Sequence, residues 1–291
     1  MNTITPTLPK AQVRAVTMVW RREVTAFART RTCLLLGAVQ PLLLLAALNM
    51  DAPRYGPATD SAVFLFSGAL VVAVLAPASA AGVSYLRDHA SGLLQQMLLT
   101  PVPRQCLLLG KVLAGTTTAT CHGALLLLLT TTAGLPYEPA LLASLVVILA
   151  LSSFTMTSLA VLVAVCLPHP RTFHTATALL AGPMVALSGA FSPSGELPSW
   201  LASLSALNPL THAVDATRTT ITAHLPLAPD SLSATIRTAG AGPSCAEELT
   251  VLVCCGALCL FLALRRFTRA DRHRTVKNTT PPPPLFQPPD L

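Results

Sequence analysis

The sequence predicts an all-α membrane protein with six transmembrane helices, an N-terminal interfacial helix and short outer helices between spans five and six. Three observations lead to this fold class. Apolar residues make up 52% of the 291 positions and charged residues only 11%, about half the charged fraction of soluble domains. The apolar residues form uncharged runs that can cross about 30 Å of hydrocarbon. Lysine and arginine are concentrated on one side of the resulting topology.

Residues 1–31 are predicted to form a cytoplasmic amphipathic helix that lies in the inner interface of the membrane. Apolar residues repeat every three or four positions on one helical face, and the basic residues between Lys10 and Arg29 gather on another. An ordinary basic flank would explain the charges but not the apolar face. The apolar positions are Val13, Val16, Trp20, Val24 and Phe27.

The six-span transmembrane domain is assigned to residues 32–267, and its last span is short, so we expect that span to begin a few residues earlier. The following residues 268–291 contain two proline runs and predict a disordered cytoplasmic tail. The predicted spans are Thr32–Met50, Ser61–Leu86, Cys106–Thr132, Ala140–Leu167, Thr172–Phe191 and Leu249–Leu264.

The basic residues decide the orientation of these spans. With both termini in the cytoplasm, 16 of the 19 Lys and Arg residues lie inside, and only Arg54, Arg218 and Arg237 lie outside. An odd number of spans would mix the two groups. Topology therefore explains the net charge of +7, and nucleic-acid binding is not expected.

The spans carry few groups that could couple transport to an ion gradient. No Asp or Glu lies deep in any of them, and Lys111, near the inner end of span three, is expected to snorkel toward water. His122 lies among threonines and is expected to make a helix-packing hydrogen bond. An ion-coupled exporter that uses His122 as a proton relay is the alternative.

The chain shows no nucleotide-binding or catalytic motif of its own. Leu109–Val112 lacks the first glycine and the Ser or Thr of a phosphate-binding loop, and the eight cysteines show no metal-ligand spacing. No Ser-His-Asp or paired-carboxylate pattern stands out. We therefore expect no enzyme site, cofactor or metal in this chain, and a partner must drive any uphill transport.

Two loops carry recognisable motifs. Residues 87–104 form a short amphipathic segment on the cytoplasmic side that ends in Thr100-Pro101-Val102-Pro103-Arg104. On the other side lies the outer helical loop 192–248, where Pro198 and Pro209 can each occupy the first turn of a short helix. Asn208 suits the N-cap of the second helix, and Trp200 suits a membrane interface.

Two residue pairs add detail to the outer half of the chain. Asp215 and Arg218 are three positions apart on the second short helix and can pair. In span five, Gly182 and Pro183 predict a bend, because proline removes a helical hydrogen bond. The outer helices fit a gate and a purely structural cap equally well.

Three blocks of this sequence resemble the membrane subunit of ABC-2 type transporters, a family that includes drug-resistance exporters of antibiotic-producing actinobacteria. Residues 92–104 are similar to the family pattern Gly-Thr-Leu-Glu-x-Leu-Leu-x-Thr-Pro-Val-x-Arg. Leu93 and Gln95 depart from the Thr and Glu of that pattern, and Asp88 could supply a substitute charge. Residues 191–201 resemble Leu-Pro-x-Trp-Leu and its surroundings, and residues 208–218 resemble Asn-Pro-Leu-Thr-x-x-x-Asp-x-x-Arg.

The predicted site residues form three groups. The resemblance implies that the first block contacts the ATPase, whereas the outer gate or cap and the span-five bend are predicted from the chemistry of the residues themselves. The residues expected to couple to the ATPase are Asp88, Gly92, Leu94, Gln95, Leu98, Thr100, Pro101 and Arg104. The residues expected in the outer gate or cap are Pro198, Trp200, Asn208, Pro209, Asp215 and Arg218. The residues expected at the span-five bend are Gly182 and Pro183.

The resemblance also implies partners and a location. We expect a bacterial plasma-membrane permease that pairs with a second copy of itself and with a separate ATPase subunit, which binds ATP and Mg²⁺. The pathway would be lined mainly by spans one, two and five, in contact with membrane lipid. The expected cargo is a small hydrophobic or amphipathic molecule, first an antibiotic or secondary metabolite and second a lipid or glycan. A membrane assembly or binding factor without transport is the alternative.

Overall fold

The computed structural model describes residues 8–29, 46, 58–92, 104–128, 137–191, 198–224 and 244–278. Within these ranges the regular secondary structure is α-helical throughout. The helices are α1 (Leu8–Arg29), α2 (Ala58–Val72), α3 (Leu75–Ala90), α4 (Arg104–Leu127), α5 (Pro139–Cys166), α6 (Pro170–Leu187), α7 (Ser199–Leu207), α8 (Pro209–His224) and α9 (Cys245–Asn278).

Three segments are long and apolar enough to cross a membrane: Val63–Ala90, Pro139–Cys166 and Cys245–Thr268. They coincide with predicted spans two, four and six. Helices α4 and α6 occupy predicted spans three and five, although in the part of the chain described they do not reach the same length-and-hydropathy criterion. Predicted span one, Thr32–Met50, lies outside the described residues except for Ala46. The six-span count therefore stays a prediction.

Helix α9 differs from predicted span six at both ends. It begins at Cys245, earlier than Leu249 as expected, because Ser244 and Glu247 form a capping box: the Glu247 N–H donates to Ser244 Oγ (3.4 Å) and the Ser244 N–H to Glu247 Oε2 (3.3 Å). It continues to Asn278, so residues 268–278 are helical where a disordered tail was expected. The rest of that tail lies outside the described residues.

Predicted span two is divided into two helices. Helix α2 ends at Val72, residues 73–74 form a turn, and α3 begins at Leu75. Pro77 explains the division, because its ring has no N–H and is tolerated in the first turn of a helix but not in its interior. The Ala78 N–H donates to the Val74 carbonyl (3.0 Å), so regular α-helical bonding resumes directly after the proline.

Helix α5 forms the centre of the bundle and packs against α3, α4, α8 and α9. Its buried face carries many small hydroxyl residues, which allow close helix packing in a membrane. The Thr155 hydroxyl donates to the Leu252 carbonyl of α9 (2.9 Å). These fully buried hydroxyl residues are Ser152, Ser153, Thr155, Thr157 and Ser158.

Gly115 of α4 marks the closest three-helix contact. A Cβ atom placed on Gly115 would lie 2.5 Å from Thr157 Cγ2 of α5 and 2.6 Å from Ala81 Cβ of α3. Neither neighbour is the far end of a flexible side chain. The three backbones therefore approach one another at a distance that only glycine permits.

We expect Gly115→Ala to lower the thermal stability of the chain in lipid nanodiscs by several degrees, since overpacking a close-packed site costs about 1–3 kcal/mol. Gly182→Ala is the matched control, because a Cβ at Gly182 meets no atom within 4 Å. It should leave the melting temperature unchanged or raise it, as alanine favours helix. Equal melting temperatures for the two variants would contradict this packing.

Candidate functional site

Four charged side chains meet at the inner end of the bundle, which is the end that holds the last turn of α3. We call them the inner charge cluster: Arg22 and Glu23 of α1, Asp88 of α3 and Lys111 of α4. Arg22 Nη2 lies 2.6 Å from Asp88 Oδ2 and 2.5 Å from Glu23 Oε1. Lys111 Nζ lies 2.7 Å from Asp88 Oδ2 and 3.0 Å from Glu23 Oε1. Two cations and two anions thus neutralise one another.

Three of the four side chains of the inner charge cluster are largely buried, and Arg22 is 36% exposed. The Lys111 side chain is only 3% exposed, and those of Asp88 and Glu23 are 12% and 17% exposed. Lys111 was expected to snorkel toward water. It does not, because two carboxylates and the Ser84 hydroxyl (2.9 Å) receive its ammonium group inside the protein. A buried ion pair that loses one partner leaves an uncompensated charge, which is strongly destabilising.

Glu23 stays ionised within this cluster. Burial alone would raise the pKa of its carboxyl group, but the charge of Lys111 and hydrogen bonds from Arg22, Ser84 and Lys111 outweigh burial and lower the pKa from 4.5 to about 2. The Ser84 hydroxyl donates to Glu23 Oε2 at 2.7 Å. The α1 carboxylate therefore bonds to side chains of both α3 and α4.

Helix α1 packs lengthwise against α4. Val19 covers Gly110, Trp20 Nε1 donates to Thr117 Oγ1 (3.1 Å), and the Phe27 ring meets His122 edge-on with 5.2 Å between centroids. The contacts advance in the same direction on both helices, over about 18 Å of α4 at 1.5 Å per residue. The expected position of α1 in the membrane interface stays a prediction.

His122 makes a hydrogen bond within its own helix, so the helix-packing bond expected of it stays a prediction. Its Nδ1–H donates to the Thr118 carbonyl one turn earlier (3.0 Å), and the ring is 3% exposed. Together with Glu23, Phe27 and Lys111 it lines a cavity of about 500 Å³ between α1, α3 and α4.

The predicted coupling segment begins directly after the inner charge cluster. Helix α3 ends at Ala90, and Gly92 adopts a left-handed φ of +72°, the conformation in which glycine commonly ends a helix. A Cβ at Gly92 would meet nothing within 4 Å, so backbone geometry and not space favours glycine here. Leu94, Gln95, Leu98, Thr100 and Pro101 lie outside the described residues, as does the side chain of Arg104.

Asp88 belongs to the inner charge cluster. Its carboxylate lies between Arg22 and Lys111, where it joins the end of α3 to α1 and α4. Its predicted role as a substitute charge toward the ATPase, in place of the missing Glu at position 95, stays a prediction.

At the opposite, outer end, helices α7 and α8 cap the C-terminus of α6. The last carbonyls of a helix have no partner within it. Asn208 Nδ2 donates to the Met184 carbonyl (2.7 Å), and Ser205 Oγ donates to the Leu187 carbonyl (2.7 Å). Asn208 also acts as the N-cap of α8 as predicted, since its Oδ1 accepts the Leu210 N–H (3.1 Å).

Pro209 occupies the first position of α8, as predicted, whereas Pro198 lies one residue before α7 as its N-cap. Trp200 is 65% exposed on α7. Helix α6 continues through Gly182 and Pro183 without interruption, so the bend predicted there stays a prediction.

Arg218 is the centre of the outer end. It is 2% exposed, and its Nη2 donates to the carbonyls of Gly189 (2.8 Å) and Ala190 (3.3 Å). Its Nε donates to Ser67 Oγ of α2 (3.2 Å), and the guanidinium lies 3.9 Å from the centroid of the Phe64 ring. One buried cation thus joins α8, α2 and the segment that follows α6.

The Asp215 carboxylate acts on Arg218 through its charge. Burial lowers the pKa of Arg218 to about 10, and the Asp215 charge opposes that change. The guanidinium also donates hydrogen bonds to Ser67, Gly189 and Ala190. Arg218 therefore belongs to the architecture of the outer end, whether or not that end also acts as a gate.

The sequence pattern of the family described as ABC-2 type transporter matches residues 14–222. This chain belongs to the ABC-2 type transporter family. A nodulation protein J of Sinorhizobium fredii (strain NBRC 101917 / NGR234) is 28% identical over 69% of this chain and 78% of its own length. The putative transport permease ycf38 of Pyropia yezoensis is 27% identical over 70% of each chain.

Membership defines the chain as an ABC-2 permease, a membrane transport component without its own catalytic site, in a family that works with ATPase partners. The match contains α1 from Arg14 onward, the inner charge cluster, the predicted coupling segment and α8 up to Thr222. It stops before α9.

Sequence reasoning missed several residues that the ABC-2 permease brings together. Glu23 is the one acidic residue among the basic residues of α1, and that isolation was a usable signal of a buried partner. His212 and Glu248 pair between α8 and α9. No pattern links positions 212 and 248, but an acidic residue at the start of an apolar helix is again a signal.

Acid should detach α1 from the permease. Because the pKa of Glu23 is lowered, its contribution to docking is fully present above pH 4.5 and is lost as the pH falls from 4.5 toward 2. In a Trp200→Phe background Trp20 is the sole tryptophan, and its emission should shift to the red across that window. Glu23→Gln should show the shifted emission at neutral pH, while Glu138→Gln, at an exposed position, should not. Trp20 emission that ignores Glu23→Gln would contradict the cluster's role.

Removal of Arg218 should weaken the outer end more than any change to an exposed arginine. Arg218→Ala leaves the buried Gly189 and Ala190 carbonyls without their donor, at about 1–3 kcal/mol for each unsatisfied group. We expect a large fall in the denaturation midpoint in nanodiscs, with partial recovery in Arg218→Lys. Arg171→Ala, at an exposed position of α6, is the control. Equal midpoints for Arg218→Ala and Arg171→Ala would contradict this assignment.

Proposed function

We propose that this ABC-2 permease is the transmembrane subunit of an ATP-driven exporter that moves a hydrophobic or amphipathic molecule outward. Two copies would pair with two ATPase subunits in a bacterial plasma membrane, with both termini in the cytoplasm. The excess of basic residues on the inner side supports that orientation.

The observation that carries this proposal is the position of the inner charge cluster. Asp88 lies in the last turn of α3, four positions before Gly92, where the segment that resembles the family's ATPase contact begins. Through Arg22 and Lys111 the same carboxylate is fastened to α1 and α4. A push on residues 92–104 would therefore move three helices together.

A second cavity supports an apolar cargo. It has a volume of about 700 Å³, within the range of small-molecule sites, and lies between the turn that divides α2 from α3, helix α5 and helix α6. Most of its lining is apolar, with Val72, Leu75, Met156, Gly182 and Phe191 among the residues. An antibiotic or other secondary metabolite is our first candidate for the cargo, and a lipid or glycan is the second.

The first test is purification of the full chain from its native membrane in mild detergent, with mass spectrometry of the proteins that accompany it. We expect a nucleotide-binding subunit in stoichiometric amount. If the folded chain is recovered without one, a non-transport membrane factor becomes the better interpretation.

Coupling is tested in the complex obtained in this way, reconstituted in liposomes. Leu98→Ala, Arg104→Ala and Asp88→Asn should each lower substrate-stimulated ATP hydrolysis and transport several-fold, while the protein still inserts into the membrane. Arg87→Gln is the matched control for Asp88→Asn, because Arg87 is the exposed neighbour of Asp88 on α3. Full transport in the Leu98 and Arg104 variants would count against coupling through residues 92–104.

A further inference from the structure

His212 of α8 is held between two hydrogen-bond acceptors. Its Nδ1 makes a short contact with Glu248 Oε2 of α9, and its Nε2 lies 2.9 Å from the Ala206 carbonyl oxygen of α7. A carbonyl oxygen can only accept, so Nε2 must carry a proton. The ring thereby joins three helices, α7, α8 and α9.

The second nitrogen must share a proton with Glu248. If Nδ1 is also protonated, His212 is a cation paired with an anionic carboxylate. If it is not, the proton must be on Glu248. Either way the arrangement holds one more proton than a neutral imidazole beside a free carboxylate. The Glu248 side chain is 2% exposed, and among the described residues its Oε1 has no hydrogen-bond partner, so the loss of this proton would leave a buried charge without compensation.

The carboxylates near His212 favour its protonated form. Asp215 of α8 is the other carboxylate near the ring, and Cys255 is the additional titratable side chain of α9 that interacts with it. From α7 the ring meets the Ala206 backbone. The hydrogen bond to Glu248 raises the pKa of His212, burial opposes it, and the Ala206 carbonyl and the two carboxylates add to the increase.

We propose that His212 and Glu248 form a proton-binding site that fastens the outer helices α7 and α8 to α9 when occupied and releases them when the surrounding solution becomes alkaline. The site lies on the outer side in the topology proposed above, but the fastening itself does not depend on that topology. Because the contact between the helices requires the bound proton, the pH of the surrounding solution controls that contact.

The direction of the pH effect follows from the raised pKa of His212. The contribution to fastening is fully present below the ordinary value of 6.5 and is lost as the pH rises through the value in the folded protein. Between those two values, release of the helices should increase up to about tenfold per pH unit, because one proton leaves per opening event.

The experiment uses the purified full chain in nanodiscs, with any subunit that accompanies it, and ¹⁵N-labelled histidine. The seven histidines are assigned by difference, with His212→Gln as the reference. We expect His212 to titrate at a higher pH than an ordinary histidine. Titration at 6.5 or below would overturn the proposal.

Melting temperatures from pH 6 to 9.5 supply the second readout. The unmodified chain should lose stability as the pH rises, whereas His212→Lys, which keeps a cation beside Glu248, should show a flat profile. His224→Gln is the matched control: His224 lies on the same helix and its ring contacts only the Thr220 carbonyl (2.9 Å) among the contacts described. It should keep the slope of the unmodified chain. An unchanged slope in His212→Lys or Glu248→Gln would also overturn the proposal, and if these variants fail to fold, the titration of the unmodified chain still decides.

Discussion

The ion pairing among Arg22, Glu23, Asp88 and Lys111 is the interaction on which the inner half of this permease depends. Each carboxylate contacts both cations, so the removal of any one of the four side chains leaves the other three with an unbalanced charge. The arrangement determines where α1 lies, because Glu23 reaches α3 and α4 at the same time. It also places the start of residues 92–104 in a fixed relation to the bundle.

In the outer half, as in the inner half, buried polar groups need partners within the protein. Here backbone carbonyls are the buried groups in need of partners, and side chains of α7 and α8 supply the donors. Asn208 and Ser205 serve the end of α6, and Arg218 serves the two residues that follow its C-cap. Polar atoms removed from water must be satisfied within the protein, which makes these contacts specific as well as stabilising.

Local signals were read correctly from the sequence, and distant contacts were not. Asn208 and Pro209 predict the start of α8, because an N-cap and its helix are adjacent in the chain. Lys111 was misjudged because its partner Glu23 is 88 positions away, and Arg218 bonds to Ser67 across 151 positions. Helical periodicity carries no information about which faces meet at such separations. The docking surface of α1 on α4 was missed for that reason, although the apolar face of α1 was recognised.

The turn at residues 73–74 separates predicted span two into two helices, α2 and α3. Its outer half, α2, is attached through Ser67 and Phe64 to Arg218, and its inner half, α3, is attached through Ser84 and Asp88 to the inner charge cluster. A continuous rod of 28 residues would carry every tilt of one end to the other. Two rods that meet at a turn need not do so, and here the turn borders the apolar cavity at Val72 and Leu75. A rotation of α3 about this turn would change the width of that cavity while α2 stays anchored.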